Sequence, residues 1–329
     1  MKLGLQVGYA DPAEAVALGQ HADRVGFDCV WTSEAWGADA VSVAAWIAAT
    51  TKQIDIGTAI MQIPARSPAA TAMTAATLDH LSGGRFRLGL GTSGPQVVEG
   101  WHGQAWGKPL TKTREYIEIV RAALRRETVE HHGEHYDIPY AGEDATGLGK
   151  PLKLLLKPLR ADIPIYLAAN SPKNVALAAE VADGLIPIFV SPEHVREFFE
   201  PAMKDGFDLA ACVSVVLADD VEAARDFLRP NLALYVGGMG ARGKNFYTTI
   251  VGRYGWEQEA KEIQDLYLAG NKREAAARVP DGLVDQVALV GPKERIAERL
   301  EAWRESGITS LVVQARQPEA LEVLAELVA

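Results

Sequence analysis

The sequence is poor in cysteine, has no long apolar run and carries no basic excess. Its two cysteines, Cys29 and Cys212, stand far apart within strand-like apolar stretches, which excludes a disulfide scaffold or a zinc knuckle and leaves both as small core residues. No segment approaches the roughly 18 consecutive apolar residues that a membrane helix needs. Lys plus Arg number 33 against 43 Asp plus Glu, a net charge of −10, so neither nucleic acid nor an anionic membrane is expected as a partner. No H-E-x-x-H, nucleophile elbow, P-loop or Cys-His pairing occurs, and hydrolytic chemistry therefore lacks its usual equipment. Residues 1–7 read as a strand and not as a signal peptide, so a cytoplasmic protein is expected. What is present is an ordinary globular composition, 48% hydrophobic and 23% charged, of a length that one α/β barrel can fill.

Short β-branched runs alternate with helical patterns along the chain, as βα units do. Strands are expected at 3–7, 27–31, 54–60, 86–90, 163–169, 184–188, 210–217 and 311–313. Helices fall between them: one from about Pro12 with Ala15, Leu18, Ala22 and Val25 on one face, one from Asp39, and one opened by Ser67-Pro68. The beat fails over about 94–160, where a helix at 111–126 sits among Gly, Pro and His, and again over about 236–285, which contains Gly237-Gly238-Met239-Gly240. The expected fold is a (β/α)8 TIM barrel, one domain over 1–329, with these two stretches as insertions after the fourth and seventh strands. Chemistry in such a fold sits in the loops after strand C-termini, here 8–11, 32–39, 59–67, 92–103, 170–174 and 189–191.

Three motifs compete for attention. Gly89-Leu90-Gly91-Thr92-Ser93-Gly94 matches G-x-G-x-x-G, with Glu115 at the spacing of a ribose contact, but it follows the fourth strand and runs into Pro95. At a barrel rim the same glycines would let backbone approach a flat ring or a phosphate. His131-His132-Gly133-Glu134-His135 has the composition of a metal site, yet it precedes Tyr136-Asp137-Ile138-Pro139 and reads as a solvated hairpin, so no metal is expected. Glu34, between Trp31 and Trp36 after the second strand, is either an acid facing a ligand or the partner of an arginine.

Residues 30–39, then Ile56-Gly57-Thr58-Ala59-Ile60-Met61-Gln62-Ile63-Pro64-Ala65-Arg66-Ser67-Pro68, then Asp79-His80-Leu81-Ser82-Gly83-Gly84-Arg85 with its Gly-rich strand, together resemble the bacterial luciferase-like superfamily. Residues 93–103 and Ile165-Tyr166-Leu167-Ala168-Ala169-Asn170-Ser171-Pro172 are similar to the coenzyme F420-dependent oxidoreductases, the methylenetetrahydromethanopterin reductase type in particular. That resemblance implies a deazaflavin lying across the strand ends, its ring on a third-strand bulge with a non-prolyl cis peptide at Ala59-Ile60. It implies further that Thr92, Ser93 and Gly94 border the ring or its tail, and that Ala168, Ala169, Asn170 and Ser171 lead the phosphate to a helix N-terminus. Glu34 stands where relatives have an acid, while Ala35 replaces the histidine that follows it in sugar-phosphate and alcohol dehydrogenases, so those substrates are not expected. Glu34 and His102 are the candidate catalytic groups, with Glu99 behind them, and Trp36, Ile60, Trp101 and Phe189 are the candidate substrate pocket.

The implied activity is hydride transfer between F420 and an unsaturated or carbonyl-type small molecule, in a homodimer whose surface includes the helices after the second and third strands. Competing readings are an FMN-dependent monooxygenase of the same superfamily, a cofactor-binding protein without turnover, and a dinucleotide enzyme of doubly wound fold.

Overall fold

The computed structural model describes residues 1–8, 11–240 and 242–329. Tyr9 and Ala10, within the first rim loop, lie outside the described residues. Eight parallel strands close into a ring: β1 (Lys2–Val7), β2 (Cys29–Thr32), β3 (Asp55–Thr58, continued by Met61–Gln62), β4 (Phe86–Gly91), β5 (Ile165–Leu167), β6 (Gly184–Leu185), β7 (Asp208–Leu217) and β8 (Ser310–Gln314). Closure is made by Leu3 opposite Leu311 between β1 and β8, and by Leu209 opposite Leu185 between β7 and β6. The expected TIM barrel is therefore present, and a doubly wound sheet with a switch point is not. A ninth short strand, Ala288–Gly291, extends the pairing along the far end of β7.

Local sequence explains where the helices begin and end. In α1 (Pro12–Val25) Asp11 accepts from the amides of Ala13 and Glu14 and Gly26 ends the helix in the left-handed region, while in α3 (Pro68–Ser82) Ser67 and Gly83 do the same work. Between them α2 (Ala40–Thr50) is capped by Asp39. The helix expected at 111–126 runs from Pro109 to Leu124 (α4), packs on α3 and on α5 (Pro172–Val181), and so belongs to the ring of barrel helices. The true departure from the barrel is the stretch after it, with a small hairpin pairing His131–His132 with Asp137–Ile138. The Glu115 carboxylate accepts from the amides of Glu134, His135 and Tyr136 and thereby ties this hairpin to α4, and His132 lies 2.6 Å from Asp137. Among the described residues no group of three or more His, Cys, Asp or Glu is arranged to hold a metal ion, and no helix is long and apolar enough to cross a membrane.

Strand alternation sorts side chains inward and outward. Leu3, Leu5, Val30, Ile56, Leu88, Leu311 and Val313 join the outer core beneath the helices, while Cys29, Trp31, Ala59, Tyr166, Ile186, Ala210, Cys212 and Val312 fill the barrel. The barrel is plugged by Trp31, whose ring meets Tyr166 edge-on at 5.0 Å. Glycine makes the room: a Cβ on Gly57 would stand 2.3 Å from the Trp31 ring, and one on Gly184 2.3 Å from Tyr166. Below this plug, Arg87 bonds Asp55 at 2.6 Å, and Asp208 accepts from Tyr166 at 2.9 Å and from Ser310 at 2.7 Å, which seals the N-terminal end. The open end is the other one.

Candidate functional site at the barrel mouth

The uppermost inward positions differ around the ring. On β1, β2, β7 and β8 they are Gln6, Ser33, Ser214 and Gln314, which form one directed chain of hydrogen bonds. Ser214 donates to Gln314 Oε1 at 3.0 Å, Gln314 donates to Gln6 Oε1, and Gln6 donates to Ser33 Oγ at 2.9 Å and to the Ala59 carbonyl at 2.8 Å, where Ser33 also donates at 2.9 Å. On β3, β4 and β5 the corresponding positions are Ala59, Gly91 and Ala168, small residues with the Ile60 side chain lying against Gly91, and on β6 the position is Ile188. The floor is thus polar on one half and, on the other, apolar and bare of polar side chains.

Between the halves lies the bulge that interrupts β3, where the Ala59-Ile60 peptide is cis, as the sequence resemblance implied. The bulge approaches β4 so closely that a Cβ on Gly89 would sit 1.7 Å from the Thr58 carbonyl oxygen and one on Gly91 2.9 Å from Ile60. The first two glycines of the G-x-G run thus accommodate the protein's own bulge, whatever else binds above. Ser93 follows with a positive φ of 60°, and Gly94 caps the short helix Pro95–Gly100. Thr92, Ser93 and Gly94 are half-buried at the edge of the bare half.

The Glu34 carboxylate, with its side chain 9% exposed, is engaged by three donors. Arg66 binds it bidentately at 2.7 and 2.8 Å, and the Gln62 amide donates at 3.0 Å. Of the two readings open for Glu34 in the sequence, the geometry has the arginine pair. Arg66 also bonds Asp39 at 2.6 Å. Burial alone would raise the Asp39 carboxyl, but donors from Ser42 and the Arg66 charge overcome it and hold it below the usual carboxylate range. Gln62 donates from its side chain to the Ala35 carbonyl at 2.6 Å, which turns its Oε1 toward His102 Nε2 at 2.9 Å. Because that oxygen only accepts, His102 carries its proton on Nε2 and leaves Nδ1 as the open position.

Across the bare half, Asn170 is occupied: its side-chain amide donates to the Ile188 carbonyl at 2.6 Å and accepts from the Ile188 amide at 3.1 Å. The Asn170 side chain therefore joins β5 to β6 and does not itself reach out to a ligand. Ala168 and Ser171 remain accessible, Ala169 is buried, and α5 starts without a side-chain cap, so its first-turn amides at Lys173 and Asn174 are open. Phe189, with a positive φ of 53°, packs edge-on against Tyr235 at 4.8 Å and Tyr247 at 5.6 Å. Trp36 and Trp101 are 61% and 66% exposed, rim residues with little packing of their own. The bare floor, the positive-φ turn at Ser93 and the uncapped helix start fit a flat ring with a phosphate-bearing tail.

The family model for luciferase-like monooxygenases matches residues 2–310. The chain belongs to the luciferase-like monooxygenase family. Within it, a Mycobacterium tuberculosis protein named, provisionally, as a coenzyme F420-dependent oxidoreductase is 49% identical across the whole of this chain and 99% of its own length. The 5,10-methylenetetrahydromethanopterin reductase of Archaeoglobus fulgidus is 28% identical over 88% of this chain and 86% of that one. The structure of the coenzyme F420-dependent tetrahydromethanopterin reductase from Methanopyrus kandleri superposes with a TM-score of 0.81 at 21% identity, covering 99% of this chain and 97% of that one.

The luciferase-like fold also shows what sequence reasoning missed. Gln6, Ser214, Gln314, Gln62 and Arg66 build half the mouth. A signal for the first three was present, since each is a polar residue at an inward register near the end of a strand otherwise made of apolar or small residues.

Proposed function

We propose that this member of the luciferase-like family is a coenzyme F420-dependent oxidoreductase that transfers a hydride between the deazaflavin and a small unsaturated or carbonyl compound. One observation carries the reading: half of the barrel floor is apolar and bare of polar side chains, beside a helix start with open amides. The choice of deazaflavin over FMN follows the name of the 49% identical relative. When bound, F420 supplies a carbon centre that gives or takes a hydride. Ala59, Ile60, Gly91 and Ala168 would seat its ring, Thr92, Ser93 and Gly94 would border it, and Ser171 with the α5 amides would receive its phosphate.

The protein's own part is placement. Gln6 and Ser33 hold the Ala59 carbonyl, and Glu34 holds Gln62 and Arg66, so the bulge is clamped from both sides. Glu34 is then a positioning residue, and His102 is the group that holds or releases a proton, at Nδ1. Trp36, Trp101 and the Phe189 cluster would close over the substrate and exclude water. The test is a parallel titration of the purified protein with F420 and FMN by fluorescence quenching. F420 should bind at least about tenfold more tightly, a gap of about 1.4 kcal/mol, and the reverse order would move the protein to the flavin monooxygenases.

A homodimer is part of the same proposal. The exposed face of α2 and α3 carries Trp46 at 66% and Met73 at 58% exposure, α2 has no charged residue, and the Asp79 of α3 is buried against Arg160. An uncharged double-helix face on a chain of net charge −10 suits a second copy of itself. Sedimentation should give a dimer that Trp46→Glu converts to monomer.

A further inference from the structure

We propose that Arg316 is the anchor for an anionic group, a carboxylate in the first instance, on the substrate that enters over the polar half of the mouth. This rests on the reading above, because it takes the bare half as the seat of the cofactor ring.

The position follows from strand parity. On β8, Leu311 and Val313 face the helices and Val312 and Gln314 face the barrel, and Ala315 returns to the outer core. β8 ends at Gln314; carried on through buried Ala315, its alternation puts Arg316 at the next inward position, above Gln314, and Arg316 is exposed. Its backbone is held on both sides, by buried Ala315 and by Gln317, whose side chain accepts from the Leu217 amide at 3.0 Å and donates to the Leu217 carbonyl at 2.8 Å. Chain flanked by two such anchors is a rigid mount.

The charge is uncompensated. Arg316 has no acidic partner among the described residues, whereas the other arginines of the rim are paired: Arg66 with Glu34 and Asp39, and Arg299 with Glu193. On the two neighbouring rim turns, two of the carboxylates serve as helix caps, and Asp219, exposed on the β7 turn, makes no ion pair with Arg316 among the described residues. Asp11, after β1, caps α1, and Asp220, after β7, caps the helix Val221–Ala233. Beneath Arg316, Gln314 uses one side-chain N–H on Gln6 and has the other unpaired among the described residues. A guanidinium above a spare amide N–H is a donor set for an oxyanion, and its place on β8 is across the ring from β4 and three strands from the phosphate end proposed at β5. An anion at Arg316 is thus assigned to the substrate and not to the cofactor tail.

The experiment uses the full chain, loaded with F420 and also free of it, titrated calorimetrically with crotonate against crotonamide and cinnamate against cinnamamide. At least one acid should bind about tenfold or more tightly than its amide, a difference of about 1.4 kcal/mol. Arg316→Gln should bring that ratio close to one, Arg316→Lys should keep part of it, and neither should change F420 affinity. Equal binding of every acid and amide, or a preference that survives Arg316→Gln, would overturn the anchor. A loss of F420 affinity in Arg316→Gln with the acid preference intact would overturn it too, by giving the arginine to the cofactor tail. Failure of the unmodified protein to bind F420 is a separate result that strikes the proposed function, since the titration without cofactor still reads the anchor.

Discussion

The two halves of the barrel mouth are built on opposite principles. On β1, β2, β7 and β8 the floor is a chain of side-chain hydrogen bonds running from Ser214 to the Ala59 carbonyl, in which every amide is oriented by its neighbour. On β3, β4 and β5 the floor is backbone, methyl groups and the Ile60 side chain, shaped by what Gly89 and Gly91 leave out. The first half can discriminate, because buried donors and acceptors penalise a ligand that does not match them. The second can only seat a flat object, but does so without paying side-chain entropy.

The contrast can be broken most severely on the bare side. Gly89→Ala places a Cβ 1.7 Å from a backbone oxygen that cannot rotate away, so the bulge and β4 must part. Denaturant unfolding should show a loss of at least about 3 kcal/mol, and F420 binding should go with it. Next comes the clamp between the halves: Glu34→Gln removes the bidentate charge pair with Arg66 and should destabilise by about 1.5–3 kcal/mol. A variant with unchanged stability but a collapsed turnover rate would instead make Glu34 the proton donor. Ala168→Val adds bulk to an exposed position on the bare half, and should leave the unfolding midpoint alone while weakening F420 about tenfold.

The smallest effect is acid sensitivity. For Asp39 and Glu115 burial works to raise the pKa, but it is outweighed, by Ser42 and Arg66 at Asp39 and by the hairpin amides at Glu115, and both end below their ordinary values. The unfolded chain then binds more protons than the folded one in that window, so their stabilisation is complete above the ordinary carboxylate range and is lost as pH falls through the lowered values, below about pH 4. Unfolding midpoints measured from pH 6 downward should be flat and then drop, and Glu115→Gln should flatten the drop.

Much of this was legible in the sequence, and unevenly so. Helix limits were readable wherever a cap residue stood beside a proline or a glycine, as at Asp11-Pro12 with Gly26 and at Ser67-Pro68 with Gly83, because those signals act within a few residues. The third strand expected at 54–60 was right in place, but its interruption came only from the family resemblance and not from periodicity, since the break at Ala59 and Ile60 depends on Gly89 and Gly91 some thirty positions later. Strands expected at 163–169 and 184–188 pair over only Ile165–Leu167 and Gly184–Leu185, because the apolar run continues past the ladder to line the mouth. Similarly, the helix at 109–124 was assigned to an insertion, since only its contacts with α3 and α5 place it in the ring.

By itself, then, the sequence determined the alternating pattern, the barrel class and the family, all of which are written in short periodicities and contiguous motifs. The partners of each group were decided only in three dimensions. Glu34 could have faced a ligand until folding brought Arg66 to it, Asn170 could have reached a phosphate until β6 offered the Ile188 backbone, and Gln6 meets Gln314 only because the ring closes β8 onto β1. Hydrogen bonds and ion pairs act over a few ångströms, and residues 308 positions apart come within that range only when the barrel is shut.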